Sequence, residues 1–416
     1  MSELLEKAVA LAAKIQSITQ EVLARHIQRL DVVKATWLSL VSGRPAFFLG
    51  SPGVDKTGAI QAMARRIEGC VFYDALMPMI VSPEQLLVDS TSIEEVPTAD
   101  GGRQIRTRDK LGRAAVAHIF FADEIWKGEP RVLQTTLDLA KGDGVRHEGQ
   151  LVKTPLKAFL AASNELPDPE GNLGAAWSRM TLRVVVDPLD RAGKERLVKA
   201  RLDRDRSAAN DERAQLTLAD VETLRKARPF VEVPDDTINT TLDILQELVD
   251  EPSADFKWAW ADDRRFGRLF DVMQANALLA GRTSVNKSDL AVLEWLLWDT
   301  PEQIAILKAK LAPYLKTPLS EAQEVVDSLL SPSGTVEIVR NGDRSKGVPA
   351  ITQCEAALTE LNRLKSEATD SAMSTVIENL LAQVNSVKTD VIAVVTGARV
   401  PQPASAPNGA TGGQGR

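Results

Sequence analysis

Cysteine, tyrosine and histidine are nearly missing from this chain of 416 residues, which holds two, two and three of them. Cys70 and Cys354 lie far apart and share no metal-ligand spacing, which excludes a disulfide framework and a zinc site built on thiolates. A reducing compartment, the cytoplasm, is the expected setting. The three histidines, His26, His118 and His147, are scattered, so each is read as a surface or hydrogen-bonded residue and not as a metal ligand or catalytic base. Uninterrupted apolar runs of the roughly 20 residues that a membrane-spanning helix requires are also lacking. The opening "MSELLEKAVALAAKIQ" mixes charge with apolar residues at helical spacing, unlike the apolar centre of a signal peptide. Nor is there an excess of positive charge: the formal net charge is -7. Affinity for nucleic acid rests largely on neutralising phosphates with Lys and Arg, so the charge balance argues against nucleic acid as a partner.

Apolar residues, at 44% of the chain, are ample for ordinary cores, and the length predicts two or three domains. Between residues 44 and 186, short apolar runs ("AFFLG", "VFYDAL", "HIFFADE", "KAFLAASNE", "LRVVVDP") alternate with helical patterns. Runs apolar on both faces and separated by helices predict a mostly parallel sheet covered on each side. After Pro188 the pattern is helical alone, through "RAGKERLVKARL", "TLADVETLRKAR", "DDTINTTLDILQELVDE", "RRFGRLFDVMQANALLA" and "KSDLAVLEWLLWD". The domains expected are an α/β core over 1–190, an all-helical domain over 191–300, a helical C-terminal arm over 301–400 and a disordered tail over 401–416. The apolar spacing of the arm's second half is read as a helical hairpin or coiled packing, which could equally dock a partner, and "GTVEIVRNGDRSKG" before it as a short β interruption. The tail is rich in Pro, Gly and small polar residues and cannot bury a core.

The chemistry concentrates in "FFLGSPGVDKTGAI", residues 47–60. A phosphate loop needs backbone N–H groups turned inward, a lysine for the outer phosphates and a hydroxyl for magnesium. Gly50, Ser51, Pro52, Gly53, Val54, Asp55, Lys56 and Thr57 form such a loop between an apolar strand and a helix. A second strand, "HIFFADE", delivers Asp123 to help Thr57 hold Mg2+, and Glu124 to activate the attacking water. A third, "FLAASNELPD", ends in Asn164, whose amide is suited to sensing the γ-phosphate or placing the water. "WSRMTLRVVVD" then supplies Arg179 and Arg183, and "DDRRFGRLF" supplies Arg264 and Arg265. Arginine suits a developing phosphate charge because its planar fork makes bidentate contacts.

Over about residues 20–300 the chain resembles the AAA+ ATPases of the MoxR group, and within it the regulatory ATPase variant A (RavA-like) type. "DEIWKG", "AASNELP" and "DDRRF" carry the likeness beyond the phosphate loop. The resemblance implies a three-layer αβα P-loop AAA+ core with a helical lid and a C-terminal helical arm. It implies ATP hydrolysis with Mg2+ in a ring homo-oligomer, a hexamer, and chaperone-like remodelling of a client with a von Willebrand factor A domain partner. By that likeness Asn164 is sensor 1, Arg179 the finger reaching a neighbour's site, and Arg264 the sensor 2 arginine, with Arg265 beside it at the nucleotide.

Two positions depart from the family pattern. Asp55 stands where most phosphate loops carry Gly. Facing the phosphates it would repel them, since two unit charges about 4 Å apart at an effective dielectric near 20 cost roughly 4 kcal/mol; pointing to solvent it would have little effect. The first case would make the protein a nucleotide-gated scaffold with weak or no hydrolysis, the second an active ATPase. Ser178 stands where the family usually has an acid before the finger, which leaves Arg183 as a substitute for Arg179. "VNKSDL", residues 285–290, matches a guanine-reading pattern, but its context predicts a helix capped by Ser288. The polar stretch 98–110 is read either as a solvated loop or as a loop facing the ring's pore. Trp258, Trp260, Trp295 and Trp298 are assigned to the core of the smaller domain.

Overall fold

Five apolar stretches form one parallel sheet: β1 (Ala46–Leu49), β2 (Phe72–Leu76), β3 (Ile119–Asp123), β4 (Ala158–Ser163) and β5 (Leu182–Val185), in spatial order β5-β1-β4-β3-β2. The coordinates are a computed structural model describing residues 2–97, 103–142, 144–147, 150–168, 173–206, 215–256, 262–316, 318–331, 334–367 and 371–397. Successive side chains leave a strand on opposite faces. Phe48, Phe121, Leu160 and Val184 therefore enter one core, while Phe47, Phe120, Phe159 and Ala161 enter another. Burial on both sides is why the strands appear in the sequence as unbroken apolar runs.

On the first face lie α2 (Ala12–Leu23), α3 (Leu30–Ser42) and α4 (Lys56–Ala64), preceded by α1 (Ser2–Ala10); α5 (Pro130–Ala140) covers the second. This is a three-layer αβα domain. Helix α3 is buried on nearly every side because it packs against β4 and β5 and also against the lid.

After α6 (Arg191–Arg206), the lid comprises α7 (Leu218–Ala227), α8 (Asp235–Val249), α9 (Asp263–Leu279), a 3-10 segment at Lys287–Trp295 and α10 (Gln303–Leu311). Leu224, Leu245, Met273, Leu293 and Leu307 from these elements join the same core as Phe48 and Leu160, so lid and sheet share one apolar interior. Trp298 is fully buried there and Trp295 packs against it, while Trp258 and Trp260 lie outside the described residues.

Residues 2–315 form one compact unit and 316–397 a second. The second is helical: α11 (Pro318–Leu329), α12 (Thr335–Arg340), α13 (Gly347–Glu367) and α14 (Ser371–Thr396), around Val326, Val339, Leu361, Ile377 and Val384. α13 and α14 pack together as the anticipated hairpin. The β interruption expected at "GTVEIVRNGDRSKG" is instead α12, because Val336 and Val339, three apart, both turn into this core.

The stretch 98–110 also needs revision. Its part from Arg103 onward is a strand, Arg103–Leu111, paired antiparallel with Val88–Pro97; residues 98–102 lie outside the described residues. The "VNKSDL" segment is capped by Asn286, not Ser288. Asn286 Oδ1 accepts from the Ser288 amide and hydroxyl, and Asp289 returns a bond to the Asn286 amide. Asp289 is buried and held bidentately by Arg282, so this motif is structural.

Candidate nucleotide site

The sheet's register brings the candidate residues to one edge. Leu49 pairs with Ser163, and the Gly50 amide donates to Ser163 O at 3.0 Å, which sets Asn164 beside the start of the loop. Ala122 pairs with Ala161, so Asp123 and Glu124 emerge alongside. In open α/β sheets ligands bind outside the carboxyl ends of strands where the connections diverge, and here β1 lies between β5 and β4. Gly50 has to be glycine, since a Cβ there would stand 2.4 Å from Val186 O.

Lys56 and Thr57 open α4, whose first N–H groups have no intrahelical acceptor and attract anions. Lys56 is buried, and its ammonium donates to Gly50 O at 2.8 Å and Ser51 O at 3.1 Å. Burial pulls its proton affinity down, while the charges of Asp123 and Glu124 oppose this. Asp123 is half-buried; its carboxyl is raised by burial, against the Glu124 amide that donates to it at 3.0 Å and against Lys56. A hydroxyl and a carboxylate at this edge are the oxygen donors that a hard cation such as Mg2+ takes.

Asp55 has a left-handed backbone, φ 61° and ψ 32°. Glycine is the usual occupant of such a position, and Asp is among the few L-residues that adopt it readily. Its carboxylate bonds His26 Nδ1 at 2.7 Å, and a Cβ on Gly58 would lie 2.2 Å from Asp55 Oδ1. The acid is thus turned onto the α2–α3 connection, over a glycine that leaves room for it. Arg29, buried, donates to Val54 O at 2.6 Å and fastens the loop to the same connection. Asp55→Gly is therefore expected to change nucleotide affinity less than about threefold, because it exchanges one half-exposed bond for an easier turn; titration with a fluorescent nucleotide checks this, and a gain above about tenfold would mean that the acid opposes phosphate. Beside the loop, His26, Ile27, Val54, Pro188, Leu189 and Leu197 line part of a cavity of about 1040 Å³, room enough for a nucleoside.

Arg179 and Arg264 line one cleft, and the phosphate-loop residues line another. Arg179 precedes β5 and Arg44 precedes β1, so both stand at the amino ends of the strands. With Arg264 and Arg268 of the lid they line a cleft of about 550 Å³. Arg268 donates to Ser178 O at 3.1 Å, next to Arg179, and its proton affinity is lowered by burial and then by Arg44.

Arg183 and Arg265 are drawn into a different role from those anticipated. Arg183 is wholly buried, its guanidinium 4.1 Å from the centre of the Trp177 ring, and it bonds Trp298 O and Asp299. Arg265, 6% exposed, donates to Leu296 O at 3.0 Å, Trp298 O at 3.3 Å and Asp299 at 3.3 Å. Burial lowers the proton affinity of both guanidiniums and Asp299 opposes it, so the three form an ionic joint between sheet and lid.

A family model described as the MoxR domain in the MoxR-vWA-beta-propeller ternary systems matches residues 13–226, just over half of the chain. The chain belongs to the MoxR family of AAA+ ATPases. A second model, an AAA lid domain, matches residues 236–311 of this MoxR chain, the helices from α8 to α10. Two proteins of Methanocaldococcus jannaschii, the uncharacterized proteins MJ0079 and MJ0812, are each 26% identical, over 85% and 84% of this chain and 90% and 89% of their own lengths. A structural protein, ORF618, of Acidianus two-tailed virus is 28% identical over 53% of this chain and 36% of its own. The fold is similar to that of a Cytophaga hutchinsonii protein described as an ATPase by assignment, with TM-score 0.56, 15% identity and coverage of 74% of this chain and 96% of that one.

Three contributors to this MoxR site escaped sequence reasoning. His26 lies 29 positions from Asp55 and carries no local signal. Arg268 is one charge among several on α9. Lys127, inside the quoted "DEIWKG", carried a usable signal: opposite charge three residues after Glu124, on a turn that returns it to that carboxylate.

Proposed function

We propose that this chain is a RavA-like ATPase that hydrolyses ATP with Mg2+ in a ring, a hexamer, and uses the cycle to remodel a client protein with a von Willebrand factor A domain protein. The observation that carries this reading is the split of the candidate residues. The loop, Asp123, Glu124 and Asn164 occupy the carboxyl edge of the sheet, whereas Arg179 and Arg264 occupy a cationic cleft at the amino edge. One subunit's arginines can then serve its neighbour's phosphates, which is how a head-to-tail ring makes each site from two chains.

In this reading the loop amides and Lys56 hold the β- and γ-phosphates. Thr57 and Asp123 hold the Mg2+ ion, which neutralises phosphate charge when bound. Asn164 orients the water and Glu124 accepts its proton. The partner is supported by the description of the matching family model, which names von Willebrand factor A domain systems. No described helix is long and apolar enough to cross a membrane. The scaffold alternative has less support, because the Asp55 carboxylate is engaged by His26.

Lys56→Ala and Arg179→Ala are each expected to be inactive alone. Mixed in equal amounts they should regain about a quarter of parent turnover, since one site in four pairs an intact loop with an intact neighbouring arginine in a random ring. Steady-state phosphate release measures this. No recovery on mixing, with both variants assembled by light scattering, would overturn the shared site.

A further inference from the structure

Lys127 closes a 3-10 turn, Ile125–Lys127, that begins directly after Glu124, itself at a left-handed φ of 52°. The turn returns the ammonium to the site. Nζ lies 2.9 Å from Glu124 Oε2 and donates to Asn164 Oδ1 at 3.2 Å, with Glu165 Oε1 at 3.9 Å. Glu124 Oε2 is buried and accepts no well-directed hydrogen bond among the described residues. A carboxylate oxygen so placed is costly unless a charge compensates it, and Lys127 supplies that charge. The same cation thus occupies both the group assigned to take the water's proton and the amide assigned to sense the γ-phosphate.

We propose that Lys127 is a nucleotide-sensing lock, which holds Glu124 and Asn164 together in the nucleotide-free subunit and surrenders them when a γ-phosphate reaches the loop. The inference rests on the ATPase reading above and adds to it a positioning residue that acts through Glu124. Locked, Glu124 has its charge paired to an ammonium, which makes it a poor acceptor for a water proton. A terminal phosphate beside Asn164 competes for the same cation and amide, and its charge favours the exchange. ADP has no group to compete, so release follows ATP alone; a ligand shifts such an equilibrium only by its different affinity for the two states.

Lys127→Met keeps the side chain's length and removes its charge. It should tighten binding of a non-hydrolysable ATP analogue about three- to tenfold, the scale of a partly exposed ion pair plus one charged hydrogen bond. ADP affinity should be unchanged, and basal kcat should rise by a similar factor with Lys127→Arg retaining parent behaviour. Equal changes for ATP and ADP, no change for either, or a fall in kcat would overturn the lock and leave Lys127 as a productive or merely structural contact. A parent that binds ATP without turning it over would defeat the hydrolysis reading while the affinity comparison still decides the lock. A parent that binds neither nucleotide defeats both.

Discussion

Glu124→Gln should lower kcat for ATP at least a hundredfold, the range expected when a general base is removed, while nucleotide affinity weakens no more than about threefold. The affinity term follows from geometry. Phosphate binding is assigned to Lys56 and the amides that open α4, and these do not depend on the Glu124 charge for their position: Lys56 is held by Gly50 O and Ser51 O, and the loop by Arg29 and His26. The turnover term follows from proton balance. A water oxygen forms a bond to the γ-phosphorus, the bond to the bridging oxygen of ADP breaks, and the water's proton needs an acceptor, for which Glu124 stands at the end of β3. Glutamine has the same shape and cannot accept that proton. Turnover reduced less than about tenfold would move the base elsewhere, whereas loss of binding together with turnover would mean that Glu124 shapes the pocket. Single-turnover phosphate release alongside equilibrium titration separates these outcomes.

How much of this was legible beforehand depended on where the deciding contacts lie. The five strands were visible because both faces of the sheet are buried, and "AFFL" or "IFFAD" then has no polar alternation to obscure it. The loop was visible because its chemistry is local. The hairpin of Val88–Pro97 and Arg103–Leu111 was not, because its apolar residues Ile93 and Ile105 face water, at 73% and 69% exposed, and give no inward-facing period to read. The arginines failed to reveal their roles for a different reason. "RMTLR" and "DDRR" show equally plausible phosphate-binding residues, and which of them turns inward is decided by Asp299, more than a hundred positions from Arg183. Arg264 and Arg265 are neighbours on one helix turn, yet one lines the open cleft and the other is buried. A helix separates adjacent side chains by about 100°, which no motif records. Asp55 is intermediate. Its departure from the usual glycine was visible, but its left-handed backbone and its partner His26 were not.

Asp299→Ala should be the most destabilising single substitution considered for residues 2–315. Removing one partner of a buried ion pair typically costs about 3–5 kcal/mol, because the opposite charge stays behind without compensation. Here two guanidiniums would be left, Arg183 with 1% and Arg265 with 8% of the side chain exposed, and the Trp177 indole N–H would lose its acceptor at 3.1 Å. Asp299 itself retains 29% exposure, so water can enter after the truncation and the lower end, about 3 kcal/mol, is expected. The carbonyls of Trp298, Leu296 and Met180 remain as acceptors and also limit the loss. For a unit of this size the main thermal transition should fall by roughly 4–5 °C. Asp299→Asn keeps an acceptor without the charge and should lie between parent and alanine. Since the joint links β5 to the lid, both variants should also lower turnover at temperatures where they remain folded, by loosening the cleft that holds Arg179 and Arg264. A shift below about 1 kcal/mol for the alanine variant would show that the guanidiniums are satisfied by carbonyls alone. The companion Arg183→Met/Arg265→Met/Asp299→Leu tests the same point from the other side, since Asp299 compensates both guanidiniums. Replacing a whole buried ionic group by apolar residues of similar size is often neutral, so the triple variant should recover much of the stability that the single one loses.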